Sequence, residues 1–416
     1  MRINNFGSIV FSMMLVVVLV ILGASIMLRS VNEHNIAMRT AKSVQALWLA
    51  DAGVQNSIYD IANNSCHGFV QQGTSTACTN CSSCGGGNKT MAVSMSGAGD
   101  YDIVLNSANT SLTSIGSHPS RSSASKVQRQ IQATLGVTSP FTYAAFAKGQ
   151  VTLSNNTFVD SYDSSVGAYS VANSATNGDV GSNGTTANII TINNNASVGG
   201  DVSTGPSGTV SVGSGVAITG TQTHTNNVIL PSVVVPTTLS SLASGGTLSL
   251  ANNASTTLSA GDYKYTDFNF ANNATLNITG GQVNIYLTAA TALTLANNVT
   301  IAVGSGASVK FFVDGTFSIH NNTALTSVSG RPKDIQIYSM YTGANGVNIN
   351  NNSALEAAVY APGTDISIGN NGDILGSIVG KTVTLSNNAA LHYDETLQTL
   401  ANSSAGLTGV TQWQEL

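Results

Sequence analysis

Charge is what this chain has least of. Of its 416 residues, 14 are Lys or Arg and 19 are Asp or Glu, so charged residues make up 8%, against roughly 25% in an ordinary globular chain. The net charge of −5 is mild and the cations do not cluster. A phosphate-binding face needs clustered cations, so nucleic acid is not expected as a partner. Proline is scarce too, with seven in all and none between Ser8 and Asn63. Cysteine is confined to Cys66, Cys78, Cys81 and Cys84. Low charge does not mean disorder here, because 42% of the residues are apolar and disorder usually needs low hydrophobicity or high net charge. Small polar residues interleaved with Val, Ile and Leu point to β structure instead.

One apolar run, Ile9 to Leu28, carries no charge. Its length, about 20 residues, suffices to cross a bilayer as a helix. Helix-forming residues continue past it, so one helix is expected within residues 1–63, with the half beyond Arg29 amphipathic. Gly23 and Gly53 each weaken such a helix by about 1 kcal/mol relative to Ala, and both let neighbours approach closely. Residues 64–140 read as a small Cys-containing β region. Its expected strands are Thr90 to Met95, Tyr101 to Leu105 and, most clearly, Lys126 to Val137, where apolar and polar residues alternate with period two. In an exported chain the four cysteines read as disulfides, with a four-thiolate zinc site as the alternative.

Residues 141–400 repeat themselves. Short alternating strands end in an Asn pair nine times, at Asn155-Asn156, Asn194-Asn195, Asn252-Asn253, Asn272-Asn273, Asn297-Asn298, Asn321-Asn322, Asn351-Asn352, Asn370-Asn371 and Asn387-Asn388. The spacing of roughly 20 to 30 residues is that of a solenoid coil. Asn tolerates the left-handed backbone of a sharp corner, and Asn stacked on Asn can form an amide ladder. A parallel β-helix of roughly ten coils, about 50 Å long, is therefore expected. A β-sandwich is the competitor, but it does not require the recurrent pair. The pattern breaks near 226–246, where Pro231 and Pro236 mark a division of the solenoid or an excursion from it. Residues 401–416 read as a C-terminal tail. The fold class is thus mainly β: a long N-terminal membrane-spanning α-helix, a small β-rich cap, then the parallel β-helix.

Candidate chemistry is sparse. The six His are scattered, no Gly-x-Ser-x-Gly elbow accompanies them, and Arg331 is the one Arg beyond Phe141. Asp160 and Asp163 form the best calcium candidate, although solvated corner residues are the commoner explanation of such acids. No catalytic residue and no cofactor is expected.

The N-terminal segment resembles the PilX-type domain of type IV pilus assembly proteins over roughly Met1 to Ile61. The resemblance rests on the apolar helix and on Leu49-Ala50-Asp51-Ala52-Gly53, where the family usually has Glu in place of Asp51. The later region resembles the β-helical domain of bacterial pilus-associated proteins through Val159-Asp160-Ser161-Tyr162-Asp163-Ser164, Ala358 to Pro362, Gly376 to Lys381 and His392 to Glu395. The resemblance implies processing after Gly7, so that the mature chain begins at Ser8. Its fifth residue is then Ser12 where prepilins carry Glu, which fits a minor subunit or a plain membrane anchor that is never cleaved. It also implies a bacterial inner-membrane protein with its bulk exported to the periplasm or cell surface, and other pilin subunits as partners of the helix. The expected function is a structural, minor pilin-like subunit, its β-helix adhering to surface glycans or to host or abiotic surfaces. The alternatives are a membrane-tethered polysaccharide-active enzyme and a pilus-independent adhesin.

Overall fold

The computed structural model describes residues 5–62, 66, 68–74, 77–78, 87–107, 110–137, 139–400 and 408–416. The chain divides into two compact units, residues 1–136 with 410–416 and residues 137–409.

The first unit is built on α1, the helix Asn5–Ala62 of 58 residues. Residues 13–41 are all exposed, whereas Ala46, Leu49, Ala50, Gly53, Val54, Ser57, Ile58 and Ile61 are buried. Those positions recur every three or four residues, which is one stripe of a helix. The stripe lies on an antiparallel sheet of Lys89–Met95, Gly99–Leu105, Ser111–His118 and Val127–Val137. Val70–Gln71 extends one edge of this sheet and Thr408–Glu415 the other. The segment read as a C-terminal tail therefore contributes a strand.

Ser111–His118 carries no hydrophobic alternation, because its helix-facing positions are Leu112, Ser114 and Gly116. Ser114 and Gly116 are small because the helix lies very close. A Cβ added at Gly116 would sit 1.9 Å from the Ala46 carbonyl oxygen, and one at Gly53 would sit 2.3 Å from Ser114 Oγ.

In the second unit every strand ladder among the described residues is parallel, which is consistent with the expected parallel β-helix and not with an antiparallel sandwich. Each coil passes along three faces, as three short strands in some coils and as strands that run on around a corner in others, such as Ala354–Ile368 and Asp373–Leu385. The second Asn of all nine pairs turns the corner between the first and second faces with φ between 55° and 60°. Amide ladders form where coils stack: Asn371 Nδ2 donates to Asn352 Oδ1 at 3.1 Å, and Asn273 Nδ2 to Asn253 Oδ1 at 3.1 Å. The first Asn of a pair uses its side-chain oxygen differently, accepting a backbone N–H from the next coil, as Asn351 does from Asn370 at 2.8 Å.

The coils do not stack in chain order. The last C-terminal coil lies against the first N-terminal one. Val383–Leu385 pairs with Val151–Leu153, and Ala390–Asp394 pairs with Phe158–Tyr162. From this seam the N-terminal coils run outward to Val210–Val212. The C-terminal section starts at the opposite end, with Leu248–Leu250, and winds back to the seam.

The interruption near 226–246 is the excursion that joins the two ends. Asn183 and Val228 exchange hydrogen bonds at 2.6 and 2.8 Å, Tyr360 Oη donates to the Pro231 carbonyl at 2.7 Å, and Lys264 Nζ donates to the Ser240 carbonyl at 2.7 Å. This strap covers the third face, where Tyr286, Phe312, Tyr338 and Tyr360 stand in register. The outward side of that face sets these rings beside a polar row of Asn284, Lys310 and Gln336, all of them buried or half-buried.

Candidate functional site

Three features could carry function, and the helix is the first. Among the described residues α1 is the one helix long and apolar enough to cross a membrane, and its most apolar stretch has no residue buried. Gly7 and Ser8 fall in its first turns, and their side chains lie outside the described residues. Asp51 is exposed, whereas Gly53 is buried against Ser114 and Tyr101. The two motif residues therefore play different parts, Gly53 in packing and Asp51 on the open side. Val44, Trp48, Gln55 and Tyr59 share that open side, and Trp48 is 73% exposed.

Cys66 and Cys78 are buried and disulfide-bonded. A disulfide sulfur is not a thiolate, so the four-thiolate zinc alternative does not form with them. Cys81 and Cys84 lie outside the described residues.

The first face of the coiled unit carries the second feature. Its outward mid-strand positions, in stacking order, are Ser249, Asn269, Thr294, Ser318, Asn348, Ser367, Thr384, Thr152, Thr191 and Ser211. The row is unbroken across the seam and holds no charge. Its inward neighbours are apolar throughout, such as Phe268 and Phe270 or Ile366 and Ile368.

The third feature is a polar cluster at the seam. Strand register sets His392 directly beside Asp160. His392 Nδ1 lies 2.5 Å from Asp160 Oδ1, and Nε2 lies 3.4 Å from Asp373 Oδ1. The Tyr169 ring stacks on the imidazole at 3.7 Å, and its Oη donates to Asp160 Oδ2 at 2.9 Å. Burial pushes the imidazole pKa down, but the Asp160 and Asp373 carboxylates outweigh that and hold it up at about 9. His392 is thus a cation at neutral pH. Burial, together with the hydrogen bond to Asp160, raises the Tyr169 phenol.

The calcium pair does not converge. The Asp160 carboxylate faces His392 and Tyr169, while Asp163 accepts from Ser165 N at 2.8 Å and Oγ at 2.6 Å. Among the described residues no group of three or more His, Cys, Asp or Glu could hold a metal ion. The Asp160–His392 pair escapes a reading of the sequence because 232 residues separate the partners. Both stretches were visible as motifs, but nothing in the sequence fixes the register between them.

A family model described as "Domain of unknown function (DUF7305)" matches residues 215–400, which is the end of the last N-terminal coil, the strap and the C-terminal coils. No curated protein matches the chain. Solved structures that match include an ice-binding protein from the Antarctic ascomycete Antarctomyces psychrotrophicus. Its TM-score is 0.31 at 14% identity, covering 60% of this chain and 94% of that one. They also include the competence-associated pilin ComZ from Thermus thermophilus, with TM-score 0.29 at 12% identity, covering 90% of this chain and 97% of that one. Scores this low do not establish a shared fold.

Proposed function

We propose that this protein is a structural, minor pilin-like subunit of a type IV pilus or related secretion filament, of the PilX type, displaying a parallel β-helix for adhesion. The observation that carries this reading is the division of α1. Residues 13–41 are all exposed, whereas the stripe from Ala46 to Ile61 is seated on a sheet. A helix that is apolar and uncovered over one half needs lipid or other helices around it. The inner membrane serves before assembly, and the helices of neighbouring subunits serve after it. The open stripe of Val44, Trp48 and Tyr59 extends the same demand along the seated half. The uncharged hydroxyl and amide row of the coiled unit supplies hydrogen bonds to an uncharged, hydroxyl-rich surface.

The test is mass spectrometry of the N-terminal peptide in a sheared surface-filament fraction. A peptide beginning at Ser8 in that fraction is expected. An intact Met1 terminus confined to membranes would reject assembly and leave a tethered adhesin.

A further inference from the structure

The seam has a feature that neither the helix nor the hydroxyl row uses. A pocket of about 170 Å³ opens on the second face just beyond it. That is below the roughly 300–1,000 Å³ of pockets for drug-sized ligands, so it takes one ring-sized unit. Strand register builds it. Along one outward row stand Ala390, Phe158, Ser197 and Ala217, and along the next stand His392, Asp160, Gly199 and Thr219.

Each row leaves something open. Phe158 is 42% exposed, the one exposed Phe, Tyr or Trp of this unit among the described residues, and its neighbours Ser197 and Ala217 are too small to cover its ring. Gly199 has no side chain to lie over Asp160, since a Cβ there would fall 3.6 Å from the Asp160 Cβ. The far wall is the segment Ser174 to Thr176, fixed by reciprocal backbone hydrogen bonds between Ala175 and Ser161 at 2.7 and 3.1 Å.

Asp160 is 4% exposed. Each of its oxygens accepts one protein donor, Oδ1 from His392 and Oδ2 from Tyr169. A carboxylate oxygen can accept two, so one acceptor site per oxygen remains. His392 and Tyr169 lock the carboxylate in place without exhausting it.

We propose that this pocket binds one neutral pyranose unit of a glycan. The ring's C–H face stacks on Phe158, adjacent hydroxyls donate to Asp160, and Thr219 and Ser197 exchange hydrogen bonds with the rest. A fixed carboxylate selects a hydroxyl-rich ring over an anionic one, so uronic acids are rejected. The proposal deepens the adhesion reading by naming a ligand class. It rests on that reading only in taking the coiled unit to be displayed.

The experiment is saturation-transfer NMR on the full chain in detergent micelles, with the methyl glycosides of glucose, galactose, mannose and N-acetylglucosamine and with methyl glucuronide as the anionic control. At least one neutral glycoside should bind and the glucuronide should not. Phe158→Ala should weaken binding about tenfold or more, equivalent to about 1.4 kcal/mol, while Phe158→Trp retains it. Thr219→Val, in the other row, should weaken it without touching the aromatic platform. Absence of binding by all four neutral glycosides, or equal binding by wild type and Phe158→Ala, overturns the proposal. A chain that assembles into filaments yet binds no glycoside defeats the pocket alone. A chain that binds but stays in membranes defeats the filament alone.

Discussion

Gly116 in the helix-and-sheet unit has no room for a single methyl group, whereas one strand position of the coiled unit is filled by Ser, Thr or Asn on ten successive rungs. The first unit has one interface between one helix and one sheet, so its contacts are all different and each is needed. The second repeats a contact many times, so most positions are averaged over neighbours. Besides the strap, the repeat is broken at the seam, where two distant segments meet and it gives way to Asp160, His392 and Tyr169.

That contrast can be broken by experiment. The largest effect is expected from Gly116→Val, whose side chain would displace backbone at Ala46 and Ala50. A loss of about 4 kcal/mol is expected, at the upper end for overpacking. Circular dichroism melts should show the helical transition lowered and the β transition of the coiled unit unchanged. Equal loss in both transitions would mean that the units are not energetically separate.

Next comes the seam. His392 has its folded pKa raised to about 9 from an ordinary value near 6.5. Its contribution is therefore fully present below about pH 6.5 and lost as pH rises through about 9, a difference of about 3 kcal/mol. The melting temperature of the coiled unit should fall across that window in the wild type and stay flat in His392→Gln. A fall of the same size in the variant would assign the loss to other groups.

Corner substitutions should do less. Asn352 sits at φ 57° and accepts from Asn371, so Asn352→Ala should lose about 1–2 kcal/mol from the left-handed backbone. Asn352→Gly, free of that penalty, should lose under about 0.5 kcal/mol. Denaturant midpoints of the two variants separate backbone conformation from the amide ladder. Tyr360→Phe removes the hydrogen bond to Pro231 and should lower stability by about 1 kcal/mol, no more than Asn352→Ala. Proteolysis within 226–246 should quicken in this variant if the strap is held from that point.

Much of this was legible beforehand. The apolar run, the alternation from Lys126 to Val137 and all nine Asn corners could be read off the chain, because each is a local property with its own period or backbone demand. The strand Ser111–His118 was not legible, since two of its three helix-facing positions, Ser114 and Gly116, are small for closeness to the helix and leave Leu112 without an apolar alternation. The strand Thr408–Glu415 was hidden for a similar reason, its sheet partners lying far back in the chain. Asp160 and Asp163 suggested a shared site by proximity in sequence, but three residues along the chain past a strand end point the two carboxylates to different partners.

The sequence by itself determined which residues would face inward, where the chain would turn and that one helix would be left wanting a partner outside the chain, because hydrophobic period and φ preference act over a few residues. The order in which the coils stack, the strap along the third face, the pairing of Asp160 with His392 and the pocket beside Phe158 were decided by tertiary structure alone. Each depends on register between segments far apart in the chain, and a repeat whose coils resemble one another does not specify which coil lies beside which.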